Sequence, residues 1–218
     1  MSFFASSPPQ ARLTLRVLAH LLRYPDAAFR AHTAELQQAL RTEAALPAAR
    51  LAELDALLRH LATQPALDIE SEYVELFDRG RRTALHLFEH VHGDSRDRGP
   101  AMIDLIQTYE QAGLFMDNSE LPDHLPVLLE FASTQPPQQA RDFLGETAHI
   151  VRAIFSALLK RQSPYASVLA AVLDLAGEKA EPVPVAADPE LDESWAEPEA
   201  FDGCSSAGQA KPGAAQPI

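Results

Sequence analysis

The chain has 218 residues, with 18 Lys and Arg against 31 Asp and Glu, a net charge of −13. That balance argues against a general nucleic-acid binder, which would carry a basic footprint, and it suits a basic partner. The single cysteine, Cys204, excludes an intrachain disulfide and a thiolate cage for zinc or an iron–sulfur cluster, and it fits a reducing compartment.

The opening residues lack the basic segment of a secretory signal, and no apolar run approaches the roughly 18 residues that span a bilayer. The expectation is a soluble, cytoplasmic protein. Leu13, Val17, Leu18, Leu21 and Leu22 recur at spacings of three and four and predict a first helix, stopped at Tyr24-Pro25. A second helix is predicted from Asp26, as N-cap, to Ala44. Pro47 opens a third, with Leu51, Leu54, Leu57, Leu58 and Leu61 on one face. Further helices follow over about 67–77, 83–91, 100–113, 123–133, 137–161 and 164–176. Pro100, Pro137 and Pro164 suit first turns, Ser163-Pro164 reads as N-cap plus N1, and Gly113 reads as a stop. No segment alternates like a half-buried strand.

The composition changes at Gly177. From there to the end the chain holds six of its 17 prolines, and nine acids against Lys179 and Lys211. Such a segment cannot bury enough apolar surface to offset its ordering entropy. The predicted organisation is therefore one all-α helical domain over 1–176 and a disordered, acidic, Pro-rich tail over 177–218. The tail sets its only tryptophan, Trp195, among acids, which admits either a solubilising role or a segment that folds back over a groove.

The centre of the chain carries the chemistry-bearing residues. His86, Glu89 and His90 spell H-x-x-E-H, the inverted zinc-protease pattern. On a helix His86 and His90 would share a face, so a helical metal-dependent hydrolase is the competing reading. It lacks a third ligand at a recognisable spacing, and we assign no metal. Ser95 beside His92 and Asp94 has the residue types of a nucleophile site, but no strand precedes it to form the strained elbow. Neither phosphate-binding glycine pattern occurs. No residue is therefore assigned a catalytic role.

Two segments stand out together. Tyr73-Val74-Glu75-Leu76-Phe77 is a Y-x-x-L-F element, and Glu120-Leu121-Pro122-Asp123-His124-Leu125-Pro126 leads into Leu129-Glu130-Phe131. Asp123 reads as the N-cap of a helix that starts near His124. With His86 to Asp94 and Met102 to Gly113 between them, these segments resemble the TorD/NarJ-type molybdoenzyme maturation chaperones. The branch most resembled is the respiratory nitrate reductase delta subunit, a molybdenum-cofactor assembly chaperone. The motifs cover Glu72 to Phe131, and the helical pattern extends the likeness to about Ala176.

The resemblance implies a TorD-like helical bundle that is a chaperone, not an enzyme. Its partner would be the apo catalytic alpha subunit of nitrate reductase, notably that subunit's basic N-terminal leader. It would hold the subunit competent for molybdenum-cofactor insertion and complex assembly before membrane docking. It would bind no cofactor stably itself, insert in no membrane and bind no nucleic acid, and contact with cofactor-biosynthesis proteins is left open. A basic amphipathic leader needs apolar pockets and facing acids. The residues expected to line such a groove are Tyr73, Phe77, His86, Glu89, Asp94, Tyr109, Leu121, Asp123, His124 and Leu125.

Overall fold

The computed structural model describes residues 8–93, 95–117 and 120–185. The chain divides into two units, Met1–Ala186 and Ala187–Ile218, and the second lies outside the described residues. The first unit is all-helical, with no strand among its described residues: α1 (Arg12–Leu21), α2 (Ala27–Ala31), α3 (Thr33–Glu43), α4 (Ala48–Thr63), α5 (Ala66–Tyr73), a π-helical turn (Val74–Asp78), α6 (Leu87–Val91), α7 (Arg98–Gln111), α8 (Leu125–Thr134), α9 (Pro137–Lys160) and α10 (Ala166–Ala176).

Helix α10 is apolar apart from Ser167 and Asp174, and nine of its 11 residues are buried. A helix of that kind belongs in the centre. It packs antiparallel to α9, and α1 and α4 close over its other sides. Helix α1 also packs along α8 and against α3, so the apolar faces read from Leu18, Leu21, Leu54, Leu58, Val151 and Ile154 meet in one core. The orphan groups at the helix ends are satisfied across the fold. Glu43, at the end of α3, accepts the Leu13 and Thr14 N–H groups at the start of α1, at 3.0 and 2.6 Å. Arg30 donates to the Leu61 and Gln64 carbonyls at the end of α4, at 3.1 and 2.6 Å.

Several expectations need correction. Asp26 does cap a helix, accepting the Phe29 N–H at 2.7 Å. The helix it starts breaks at His32, whose φ of −101° and ψ of 4° separate α2 from α3. Helix α10 begins at Ala166, so Pro164 lies in the turn before it, where Ser163 Oγ accepts the Tyr165 N–H at 3.3 Å. Residues 83–86 are not helical: α6 begins only at Leu87. Helix α10 ends at Gly177, which takes a left-handed φ of 80°. The next residues, however, stay on the fold. Glu178 pairs with Arg152 on α9 at 2.7 Å, and the Val183 N–H reaches Ser156 Oγ at 2.9 Å. The tail expectation for the remaining 33 residues lies outside the described residues.

Candidate binding cleft

The Y-x-x-L-F element occupies the join between α5 and the π turn. In a π turn the N–H of a residue reaches the carbonyl five back, and Arg79 N–H to Val74 O at 3.0 Å is that bond. The wider turn displaces neighbouring carbonyls from the regular ladder. The Thr83 hydroxyl takes the Leu76 carbonyl, and Arg161 Nη1 takes that of Glu75 at 3.3 Å. Gly80 is required here, because a Cβ at that position would collide with Thr83 Oγ1 and the Leu76 carbonyl. Tyr73 and Phe77 are both buried, with rings 4.9 Å apart, and each packs against Tyr165. The Tyr73 hydroxyl donates to the Leu22 carbonyl at 2.8 Å.

The second segment meets the first through a short antiparallel bridge between His86 and His124. The Leu87 N–H donates to the Asp123 carbonyl at 3.0 Å, and the Leu125 N–H to the Leu85 carbonyl at 2.9 Å. The Asp123 side chain is wholly buried. It does not cap α8, which starts at Leu125 without a side-chain cap. Its Oδ2 instead accepts the Phe88 N–H at 3.0 Å, capping α6 from 35 residues away. Its Oδ1 lies 3.6 Å from His86 Nδ1, an ion-pair distance just outside hydrogen-bond range.

The bridge stacks the two imidazoles, 4.8 Å between centroids and 27° between planes. Their environments push them in opposite directions. The Asp123 carboxylate raises the pKa of His86, with help from Glu89 and Glu120 and against the effect of burial. Burial lowers the pKa of His124, and the neighbouring His86 adds to the effect, although Glu120 lies 3.2 Å from His124 Nδ1. The two shifts are opposite in sign, so His86 is the more readily protonated of the pair.

Between the π turn and the bridge lies a cleft of about 310 Å³. Tyr73, Phe77, Ala84 and Leu85 give it an apolar lining. Asp78, Gly80, Arg81, His86, Glu89 and His124 supply the rest. Five of the expected groove residues thus converge: Tyr73, Phe77, His86, Glu89 and His124. Asp123 and Leu125 lie beneath the junction at 0% exposure and offer no surface to a ligand; they hold the wall. Tyr109 is buried and donates to the Pro122 carbonyl at 2.8 Å, bordering a different groove beside α1 and α8. Leu121 is 47% exposed and lines none of the cleft. Asp94 lies outside the described residues. Asp78, Gly80 and Arg81 were not anticipated; the only sequence signal for them was their position directly after Phe77.

The hydrolase reading fails on geometry. His86 precedes α6 with extended φ and ψ of −83° and 102°, so it shares no helical face with His90. The His90 Nε2 donates to the Ala84 carbonyl at 2.9 Å. Among the described residues no three His, Cys, Asp or Glu side chains converge as a metal set, and no helix is long and apolar enough to cross a membrane.

The comparisons with known proteins agree with this organisation. The chain is 44% identical over 164 residues to the nitrate reductase molybdenum cofactor assembly chaperone NarJ of Escherichia coli K12, covering 75% of this chain and 70% of that one. It is 34% identical over 165 residues to the probable chaperone of the same name from Bacillus subtilis, covering 74% and 87%. A crystal structure of a putative redox enzyme maturation protein from Archaeoglobus fulgidus matches with a TM-score of 0.54 at 20% identity, over 81% of this chain and 99% of that one, and shares the fold. Residues 22–171, which hold every described wall of the cleft, match the nitrate reductase delta subunit family, and the chain belongs to it.

Proposed function

We propose that this chain is a non-catalytic assembly chaperone that binds the apo catalytic subunit of nitrate reductase through its basic N-terminal leader. It holds that subunit open for molybdenum-cofactor insertion in the cytoplasm, before the enzyme docks at the membrane. The family membership and the 44% identity to an assembly chaperone support the general role. The observation that carries the leader reading is the cleft itself. There the two motif blocks, distant in sequence, bring an aromatic lining of Tyr73 and Phe77 beside the acids Asp78 and Glu89. Spaced apolar anchors of a short helix fill such a lining, and its basic residues face the acids.

The test is calorimetry of the full chain against a synthetic leader peptide at two salt concentrations, with a scrambled peptide as control. Saturable binding that weakens with salt is expected, because exposed pairs are screened over about 8–10 Å. Tyr73→Ala is a poor probe, since it would open the core. Glu89→Lys and Asp78→Lys, both at exposed positions, should each cost about 1 kcal/mol, roughly fivefold in Kd. An unchanged Kd in both variants would remove the cleft from the binding reaction. A peptide that does not bind at all would remove the leader as the partner segment.

A further inference from the structure

We propose that the groove between α7 and α9 is a second docking surface, which takes a basic amphipathic helix of a partner protein. Helix α7 has 14 residues and buries only Tyr109. A helix on the surface of a fold normally covers an apolar stripe. Here Met102, Leu105 and Ile106 are half-buried at most, and Ile103 is 55% exposed. Polar bonds hold the helix at its ends instead. Arg98 lies 3.5 Å from Glu89, and the Tyr109 hydroxyl donates to the Pro122 carbonyl. A groove of about 580 Å³ opens beside it. Helix α7 lines it with Ala101, Asp104, Leu105 and Thr108, and α9 with Gln139, Asp142, Phe143 and Glu146. Both sets follow i, i+3, i+4 and i+7, so each helix offers one face over about 10.5 Å. Phe88 of α6, Leu105 and Phe143 supply a half-exposed apolar lining. Phe143 is fixed by Phe131, with 4.9 Å between ring centroids. Two facing helix stripes with an open apolar lining between them seat a third helix.

Charge selects the occupant. Asp104, Asp142 and Glu146 line the groove, and no Lys, Arg or His does. Among the described residues none of the three carboxylates has an ion-pair partner; Asp142 accepts the Gln138 amide at 2.8 Å. The cations closest in sequence are engaged elsewhere, Arg98 at Glu89 and Arg141 against Gly177. The cleft described above differs, since Arg81 lines it, and the groove beside α1 and α8 carries Arg16 and Arg23. A helix with apolar residues at i, i+3 or i+4, and i+7, flanked by Lys or Arg, satisfies the lining and the acids together. The inference does not rest on the leader reading, because the groove and the cleft share no lining residue.

The probe is a synthetic peptide of about 18 residues, long enough to hold a helix, with Leu on one face and Lys and Ala elsewhere. It is titrated calorimetrically into the full chain at about 0.1 M NaCl. Saturable binding is expected, with a scrambled peptide of the same composition severalfold weaker. Asp104→Lys/Glu146→Lys, at exposed positions, should weaken binding about tenfold. Glu35→Lys/Asp68→Lys makes the same change in net charge on α3 and α5 and should leave the affinity within about twofold. No saturable binding to the parent, no loss in the groove variant, or equal losses in both double variants overturns the proposal. A parent that is dimeric by light scattering, and monomeric as Asp104→Lys/Glu146→Lys, makes the occupant a second copy and overturns the partner reading. Asp78→Lys, in the cleft, should leave the peptide's affinity unchanged; a loss there with none in the groove variant overturns the placement. The leader peptide in the same variants separates the two readings. A leader loss confined to Asp78→Lys supports two separate surfaces. A leader loss confined to the groove variant sinks the cleft as the leader's site and supports the groove as a seat for a basic helix.

Discussion

Asp123 is the residue whose replacement tests the architecture of the cleft most directly. Its carboxylate is wholly buried, accepts the Phe88 N–H at 3.0 Å and faces His86 at 3.6 Å. Asp123→Ala leaves the two main-chain bonds of the bridge in place, so the cost comes from the side chain alone. A hydrogen bond to a charged group contributes about 1.5–3 kcal/mol, and a buried donor left without an acceptor adds about 1 kcal/mol or more. His86 is 31% exposed at its side chain, so water replaces part of its loss and that share is discounted. The expected total is about 3 kcal/mol, a fall in Tm of roughly 9 °C for a domain of this size. Asp123→Asn keeps the shape and one acceptor and should cost about half as much. Urea denaturation gives the stability, with an unchanged m-value as the control for compactness. In a double-mutant cycle with His86→Gln, the two losses should couple by about 0.5–1.5 kcal/mol. A stable Asp123→Ala protein, within about 0.5 kcal/mol of the parent, would refute the carboxylate as the pin of the junction.

The histidine pair makes stability depend on pH in both directions. His86 has its pKa raised in the fold, so its contribution is complete below about 6.5 and lost as pH rises through the raised value. His124 has its pKa lowered, so its contribution is complete above about 6.5 and lost as pH falls through the lowered value. Urea titrations from about pH 5.5 to 8.5 should show His86→Gln abolishing the alkaline decline; a profile parallel to the parent would contradict the pairing. At the other end of the fold, Gly177→Ala should cost about 1–2 kcal/mol, because φ is 80° and the added Cβ meets the Arg141 guanidinium. An unchanged urea midpoint would show that α10 tolerates a different ending.

What could be read from the sequence was what depends on near neighbours. The leucine spacing of α1 and α4, Pro137 at the start of α9 and Gly113 after α7 are local signals, and the structure follows them. Asp123 shows where such reasoning stops. A short polar residue just before a helix reads as its cap, yet this side chain turns away and caps α6, because the bridge at His86 places that helix start closer. The run Ala84-Leu85-His86-Leu87 looked helical for a related reason: its buried residues are apolar, and only a pairing partner 38 residues away reveals the extended backbone. The π turn is equally silent, since one inserted residue barely disturbs an apolar pattern over five positions. The candidate site was legible as two motif blocks. Their meeting was not, nor was the sorting of its residues into lining and support. Tyr73 and His86 face the cleft, and Asp123 and Leu125, one residue either side of His124, do not.

That sorting explains how a cleft with an aromatic lining stays open at the edge of a helical core. Aromatic surface in water closes on itself unless something stiffer holds its walls apart. Here each wall is fixed by polar bonds that apolar packing cannot easily slide. The π turn is held by Thr83 and Arg161, the opposite wall by two bridge bonds and Asp123, and the lining by the Tyr73 hydroxyl on Leu22. These bonds are directional and differ in partner, so closing the cleft would break several at once without a replacement. Loosening them one at a time should therefore lower stability before it alters the shape of the cleft. A weakly destabilised Asp123→Asn protein is then expected to keep its ligand affinity, while Asp123→Ala is expected to lose stability and affinity together.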